Sequence, residues 1–271
     1  MRTGNKYGFY AHYFTCQHGF RAVLDLGAVH ADGIVSSDIV GYSTQGIQGG
    51  KLSCVAFQFA DVGSMNEDAS IANLATTGLS AGEYDTMDTD APCIMIYNGV
   101  GYDYYYYISD AFDKSGDPVT AWADGGGDAA DDTKSLGTGF WLRIPDGKCT
   151  SGTLTQSGKV NSDDDTTITL SSGLTLAGNP YPTAMNMSKV VTAGLTAGEY
   201  DTMDTDAPCI MFYNGVGYDY YYYISDAFDK SGDPVTAWAD GGGDAVTGDV
   251  AEAGKAFWAR TKTAGTLTFS L

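Results

Sequence analysis

Through much of the chain, apolar and polar residues alternate with a period of two, the spacing of a strand that buries one face. The run Cys93-Ile94-Met95-Ile96-Tyr97, the tetrad Asn98-Gly99-Val100-Gly101 and residues 102–108 together predict a β-hairpin, because Asn-Gly tolerates the positive φ of a tight turn. On the second strand Tyr102, Tyr104, Tyr106 and Ile108 share one face, and Asp103, Tyr105, Tyr107 and Ser109 share the other. Lys114-Ser115-Gly116-Asp117-Pro118 predicts a further turn, residues 119–123 a short strand, and Gly125-Gly126-Gly127 its end. Near the C-terminus, Phe257-Trp258-Ala259-Arg260 and residues 266–271 read as strands around a turn at Ala264-Gly265. Helical spacing is confined to residues 66–74, with Asn66 as N-cap and Gly78 beyond the end, and to a shorter counterpart over 186–191. No run approaches the roughly 20 apolar residues of a membrane-spanning helix.

The same pattern then occurs again. Residues 78–129 recur at 194–245 with only two changes, Ser80 to Thr196 and Ile96 to Phe212. The flanks align more loosely: Lys51-Leu52-Ser53-Cys54 falls opposite Gly173-Leu174-Thr175-Leu176, and Gly139-Phe140-Trp141-Leu142-Arg143 opposite Ala256-Phe257-Trp258-Ala259-Arg260. The expected architecture is therefore all-β with little helix, as two tandem β-sandwich or barrel-like repeats over residues 32–160 and 161–271. The polar stretch Asn161-Ser162-Asp163-Asp164-Asp165 would join them. An alternative arrangement pairs strands between the repeats into one continuous sheet.

Composition supports strands over helices: 36 Gly and 19 Tyr stand in a chain of 271 residues with only 18% charged side chains. The formal charge is −20. Each near-identical centre holds ten acids and one Lys, so the acidity belongs to the repeat. Such a surface argues against nucleic acid as a partner, since phosphate contacts need Lys and Arg, and against an anionic membrane surface for the same reason.

Residues 1–31 differ from the rest. They hold Arg2, Lys6, Arg21, Cys16 and all three histidines, His12, His18 and His30. Val29 and Ala31 are small residues at −3 and −1 of a signal-peptidase site, with Asp32 as the mature N-terminus, so this segment is expected to be a signal-peptide-like leader. Its removal would leave no histidine, excluding Ser-His-Asp and Cys-His catalysis and histidine-ligated metals. Cys54, Cys93, Cys149 and Cys209 would remain, without a Cys-x-x-Cys pair; they admit three disulfide pairings or buried free thiols.

Gly173-Leu174-Thr175-Leu176-Ala177-Gly178-Asn179-Pro180-Tyr181-Pro182, followed by Gly254-Lys255-Ala256-Phe257-Trp258, resembles the paired motifs G-x-N-L-x-G-N-P-Y-P and G-x-G-F-W of uncharacterised secreted bacterial β-repeat proteins. Thr175 replaces the usual Asn, and Ala256 the second Gly. The stretch Ser36-Ser37-Asp38-Ile39-Val40-Gly41-Tyr42 is similar to their mature N-termini. The resemblance implies secretion or surface display, and it brings no catalytic residues.

Two candidate chemistries follow from the residues. Tyr105, Tyr107 and Trp122, with their copies Tyr221, Tyr223 and Trp238, would form an aromatic platform on which the apolar faces of sugar rings stack. Asp85, Asp88 and Asp90, and separately Asp110, Asp113 and Asp117, with their copies Asp201, Asp204, Asp206, Asp226, Asp229 and Asp233, supply the hard oxygens that calcium takes, although neither cluster follows the EF-hand order. Calcium is the one cofactor these residues admit. The expected function is a secreted or cell-surface structural or adhesive β-repeat protein without catalysis, with a carbohydrate-binding module as the alternative. Of the enzyme classes only a two-carboxylate glycosidase survives the loss of histidine, and no pair of acids stands out for it.

Overall fold

The computed structural model describes residues 39–62 and 68–271, together with the strand backbones of Tyr13–Thr15 and Arg21–Val23. The architecture is all-β, with antiparallel sheets and very short helices. In the first half, one sheet runs in the order Tyr13–Thr15, Arg21–Val23, Val40–Ile47, Gly152–Val160, Phe59–Ala60, with Ala75–Thr77 also on Gly152–Val160. The other runs Pro118–Ala123, Tyr102–Phe112, Cys93–Tyr97, Gly139–Ile144, Lys51–Ala56. Ile47 and Leu154 from one, and Ile94, Phe140, Leu142 and Trp122 from the other, meet in a shared core, so the two sheets form a sandwich.

The second half repeats the plan with fewer strands. A three-stranded sheet, Asp165–Leu170, Gly265–Ser270, Val190–Ala193, faces a five-stranded one in the order Gly173–Gly178, Ala256–Thr261, Cys209–Tyr213, Tyr218–Phe228, Pro234–Ala239. Leu170, Leu267 and Phe269 pack there against Ile210, Phe212, Phe257 and Trp238.

The predicted hairpin is present in both copies, and its second strand runs further than expected, over Tyr102–Phe112 and Tyr218–Phe228. In the turn, Gly99 takes φ of 100°, and the Asn98 side chain accepts hydrogen bonds from the Val100 and Gly101 amides. The helix predicted over 66–74 is corrected: Ala69–Ser70 is a strand and Ile71–Asn73 a single 3-10 turn, while Asn66 lies outside the described residues. The apolar residues there are spaced for burial under the sandwich, with Ile71 fully inside, and too few follow to continue a helix. Over 186–191 the structure likewise has one 3-10 turn, Met187–Lys189, capped by the Asn186 side chain on the Ser188 amide. Both four-residue α-helices, Met87–Asp90 and Met203–Asp206, sit where sequence periodicity gave no signal.

Among the described residues, strand pairing between the sheets of the two halves is limited to isolated bridges. Val55 pairs with Lys255 and Thr138 with Ala177, and the Ala56 and Gly178 amides donate to the Gly254 and Gly137 carbonyls. At this crossing the backbones approach closely. A Cβ added to Gly178 would lie 2.3 Å from that of Ala56, and one on Gly139 would lie 3.1 Å from that of Ala256. The Asn179-Pro180-Tyr181-Pro182 segment serves the same joint. The Asn179 side chain accepts from the Tyr181 amide, the buried Tyr181 hydroxyl reaches the Asp163 carbonyl at 2.9 Å, and Gln58 of the first half donates to the Tyr181 carbonyl. The expected leader overlaps the two strands Tyr13–Thr15 and Arg21–Val23, the latter pairing with Val40–Tyr42 at the edge of the first sheet. The expected cleavage position after Ala31 lies outside the described residues.

Candidate functional site

The hairpin register decides which aromatic residues face solvent. Ile94 lies opposite Tyr105 and Ile96 opposite Asp103, whereas Cys93, Met95 and Tyr97 lie opposite Tyr106, Tyr104 and Tyr102. Residues directly opposed in an antiparallel pair share a face. The isoleucines carry Tyr105 and Tyr107 into the core between the sheets, and Tyr102, Tyr104 and Tyr106 lie on the opposite face, where Tyr104 is exposed and Tyr106 is buried in a second cluster with Cys93 and Ile108.

The platform expected from sequence is therefore on the wrong side. Tyr105 is 5% exposed and Trp122 3%, and both belong to the first core, with Tyr107 packed against it at 5.3 Å from the Trp122 ring. Trp238 is 5% exposed, and Tyr221 and Tyr223 pack against the second core in the same way. Burial, reinforced by the Asp132 carboxylate, holds the Tyr105 phenol well above its ordinary pKa. Tyr105, Trp122 and Trp238 are buried and Tyr107, Tyr221 and Tyr223 are partly buried against the two cores, so the six do not form an open platform.

The outward faces instead form a continuous aromatic band across the joint. Tyr97 meets Trp258 edge-to-face at 5.0 Å, and Trp141 meets Tyr213 at 5.2 Å, a reciprocal pair of contacts. From there each half extends a tyrosine ladder. Tyr97, Tyr102, Tyr104 and Tyr106 follow one another at 5.6 to 6.3 Å, and Tyr213, Tyr218, Tyr220 and Tyr222 do the same. The rings of Tyr104 and Tyr106 are nearly parallel, at 11°, as are those of Tyr220 and Tyr222, at 9°. Within the ladders Tyr104 and Tyr220 are the open rungs, 44% and 43% exposed. The far rungs are anchored, because the Tyr106 hydroxyl donates to Asp88 and the Tyr222 hydroxyl to Asp204, each at 2.7 Å. Burial and that hydrogen bond raise both phenols above their ordinary pKa.

The acids expected to gather around calcium are used separately. Asp88 and Asp204 receive the tyrosine hydroxyls, Asp90 pairs with Lys148 at 2.6 Å, and Asp206 pairs with Lys262. Asp110 and Asp226 accept from the Tyr84 and Tyr200 amides. Asp113, Asp124, Asp229 and Asp240 each close a turn by accepting two backbone amides. Among the described residues no group of three or more His, Cys, Asp or Glu converges as a metal site. Much of the repeat's acidity is thus turn chemistry.

All four described cysteines are free and buried. Burial pushes the Cys54 and Cys93 thiols up to about 12 and that of Cys209 up to about 11, so none is a nucleophile at neutral pH. Two open recesses are lined by residues around Gly46 and Thr150 and by residues around Phe112 and Asp128, and neither includes a residue of the aromatic band. Compared with protein-family models, curated proteins and solved structures, the chain finds no match.

Proposed function

We propose that this chain is a secreted or cell-surface structural or adhesive β-protein without catalytic activity, whose contact face is the paired tyrosine ladder and whose contact residues are Tyr104 and Tyr220. The observation that carries the reading is the presence, twice, of an exposed tyrosine held in place by a packed ring on either side along its strand. A ring fixed before contact loses little conformational freedom on binding, which favours tyrosine as an anchor. Asp88 and Asp204 lie exposed at the neighbouring Tyr106 and Tyr222 rungs, so the surroundings repel polyanions and suit an uncharged or amino-bearing polymer. Export rests on the leader-like N-terminus and on the motif resemblance.

The second reading, a carbohydrate-binding module, uses the same two residues, since a sugar ring stacks on an open tyrosine while nearby carboxylates accept its hydroxyls. The test is retention of purified protein on insoluble polysaccharides and a glycan array, comparing wild type with Tyr104→Ala/Tyr220→Ala. Retention on an uncharged or amino-sugar polymer that falls about tenfold or more in the double variant, a loss of roughly 1.4 kcal/mol, supports the ladder as the contact face. Retention unchanged by the double variant removes these residues from the function, and release of soluble sugars would show that the chain is an enzyme.

A further inference from the structure

The strand Asp165–Leu170 lies at the end of the three-stranded sheet and, among the described residues, is paired on one side only, with Gly265–Ser270. Its first-half equivalent follows from the registers: Gly152 opposes Ile47 as Gly265 opposes Leu170, and Thr155 opposes Thr44 as Thr268 opposes Thr167. That equivalent, Val40–Ile47, accepts a strand on its outer side, where Arg21–Val23 pairs with Val40–Tyr42. The positions equivalent to 40–42 are 163–165, at the start of the second-half strand, and among the described residues no strand lies on that side of Asp165–Leu170.

Proteins commonly blunt such edges with Lys, Pro, a bulge or a covering loop. Here Thr166-Thr167-Ile168-Thr169-Leu170-Ser171 carries no charge, no Pro and no Gly, and its pairing with Gly265–Ser270 runs without a register shift. The one charged residue, Asp165, has its carboxylate turned onto the Ser270 hydroxyl. By contrast, the exposed outer strands of both five-stranded sheets begin with a proline, Pro118 and Pro234.

We propose that this edge pairs with the same edge of a second copy of the chain, antiparallel about Ile168, so that two three-stranded sheets become one of six. Opposed residues must share a face, which fixes the pairs as Ile168 with Ile168, Thr167 with Thr169, Thr166 with Leu170 and Asp165 with Ser171. No like charges face each other in that register. Thr167 and Thr169 are exposed and stand as a threonine ladder on the outer face, continuing the Thr167–Thr268 hydroxyl contact at 2.9 Å. The net charge of −20 opposes approach of two copies, so the association strengthens as salt screens it.

The experiment is sedimentation velocity of the full chain from 1 to about 100 μM at low and high salt, a range in which weak self-association is visible. A dimer that grows with concentration and with salt is expected, and Thr167→Lys/Thr169→Lys, which sets lysines against each other, should sediment as a monomer while keeping its circular dichroism and melting temperature. Mixing Thr167→Cys with Thr169→Cys protein under mild oxidation should give a crosslinked pair much faster than Thr167→Cys alone. A wild-type monomer throughout, or a dimer that persists in the lysine variant, overturns the proposal; neither result bears on binding at Tyr104 and Tyr220.

Discussion

The two halves share a centre that is almost identical in sequence, yet they complete their cores with different residues. In the first, Phe57 stacks on Phe140 at 4.7 Å, and Ile96 stands beside them. In the second, Asn179 occupies the place of Phe57 along the chain and is engaged in the joint, and the ring against Phe257 comes from Phe212 at 5.4 Å. The position of Leu142 is taken there by the smaller Ala259. Ile96 to Phe212 is one of only two changes in the copied centre, and it restores volume that the diverged flank removed. Close packing makes such paired changes necessary, because neither a cavity nor an extra ring is tolerated cheaply.

The crossing shows the same logic. Each half contributes one alanine and one glycine, so Ala56 meets Gly178 and Gly139 meets Ala256. Only one Cβ fits at each contact, which gives a physical reason for Ala256 at a position where Gly139 stands in the first half. The tryptophans differ as well. Trp122 donates its indole N–H to the Leu74 carbonyl at 3.0 Å, whereas the buried Trp238 indole N–H has no partner among the described residues.

The largest expected effect tests what the halves have in common. Cys93 and Cys209 occupy the same place in each copy, and their folded-state pKa values lie above the ordinary thiol value of 9.0, as does that of Cys54. The folded chain holds these protons while the unfolded chain releases them, so this stability is complete below pH 9 and is lost as pH rises towards 11 to 12. The melting temperature should fall steadily above pH 9, and native thiols should resist alkylation at pH 8. Rapid labelling of Cys54, Cys93, Cys149 and Cys209 would contradict their burial. Cys54→Leu, which installs the residue of the second half, should soften the alkaline fall.

Next in size, Phe57→Ala should cost about 3–5 kcal/mol in urea unfolding, the range for a buried aromatic ring. Ile96→Phe alone should overpack the first core by about 1–3 kcal/mol, yet recover part of the loss when combined with Phe57→Ala. Additive losses would mean that the two rings do not fill the same space. At the crossing, Gly178→Ala should cost about 1–3 kcal/mol, and Ala56→Gly in the same chain should relieve it. The smallest contrast lies between the indoles. Trp122→Phe and Trp238→Phe both remove ring volume from a core, and Trp122→Phe should cost about 1 kcal/mol more, the worth of its hydrogen bond. Equal losses at both sites would show that Trp238 is satisfied in solution.

Most strands were legible because period-two alternation and Asn-Gly turns are local signals. The hairpin, the strands at Pro118–Ala123 and Ala256–Thr261, and the equivalence of Lys51–Ala56 with Gly173–Gly178 all follow from them. The inward face of the tyrosine strand was not legible from that strand alone, since either face carries tyrosines. Ile94 and Ile96 held the answer, but only once the four-residue turn was used to set them opposite Tyr105 and Asp103. The acids misled for a related reason: Asp113 or Asp229 closing a turn and an aspartate binding a cation look alike in sequence, and only the direction of the carboxylate separates them. The band across the joint depends on contacts such as Trp141 with Tyr213, more than 70 residues apart, which no local pattern contains.

The reciprocity of the joint limits how this design can grow. Because Tyr97 answers Trp258 and Trp141 answers Tyr213, each half spends the same patch on the other, as in a closed two-fold dimer. A stacked solenoid keeps a fresh end for the next unit, and here none is left at that patch. A third copy of the repeat would find this aromatic patch already engaged on both halves.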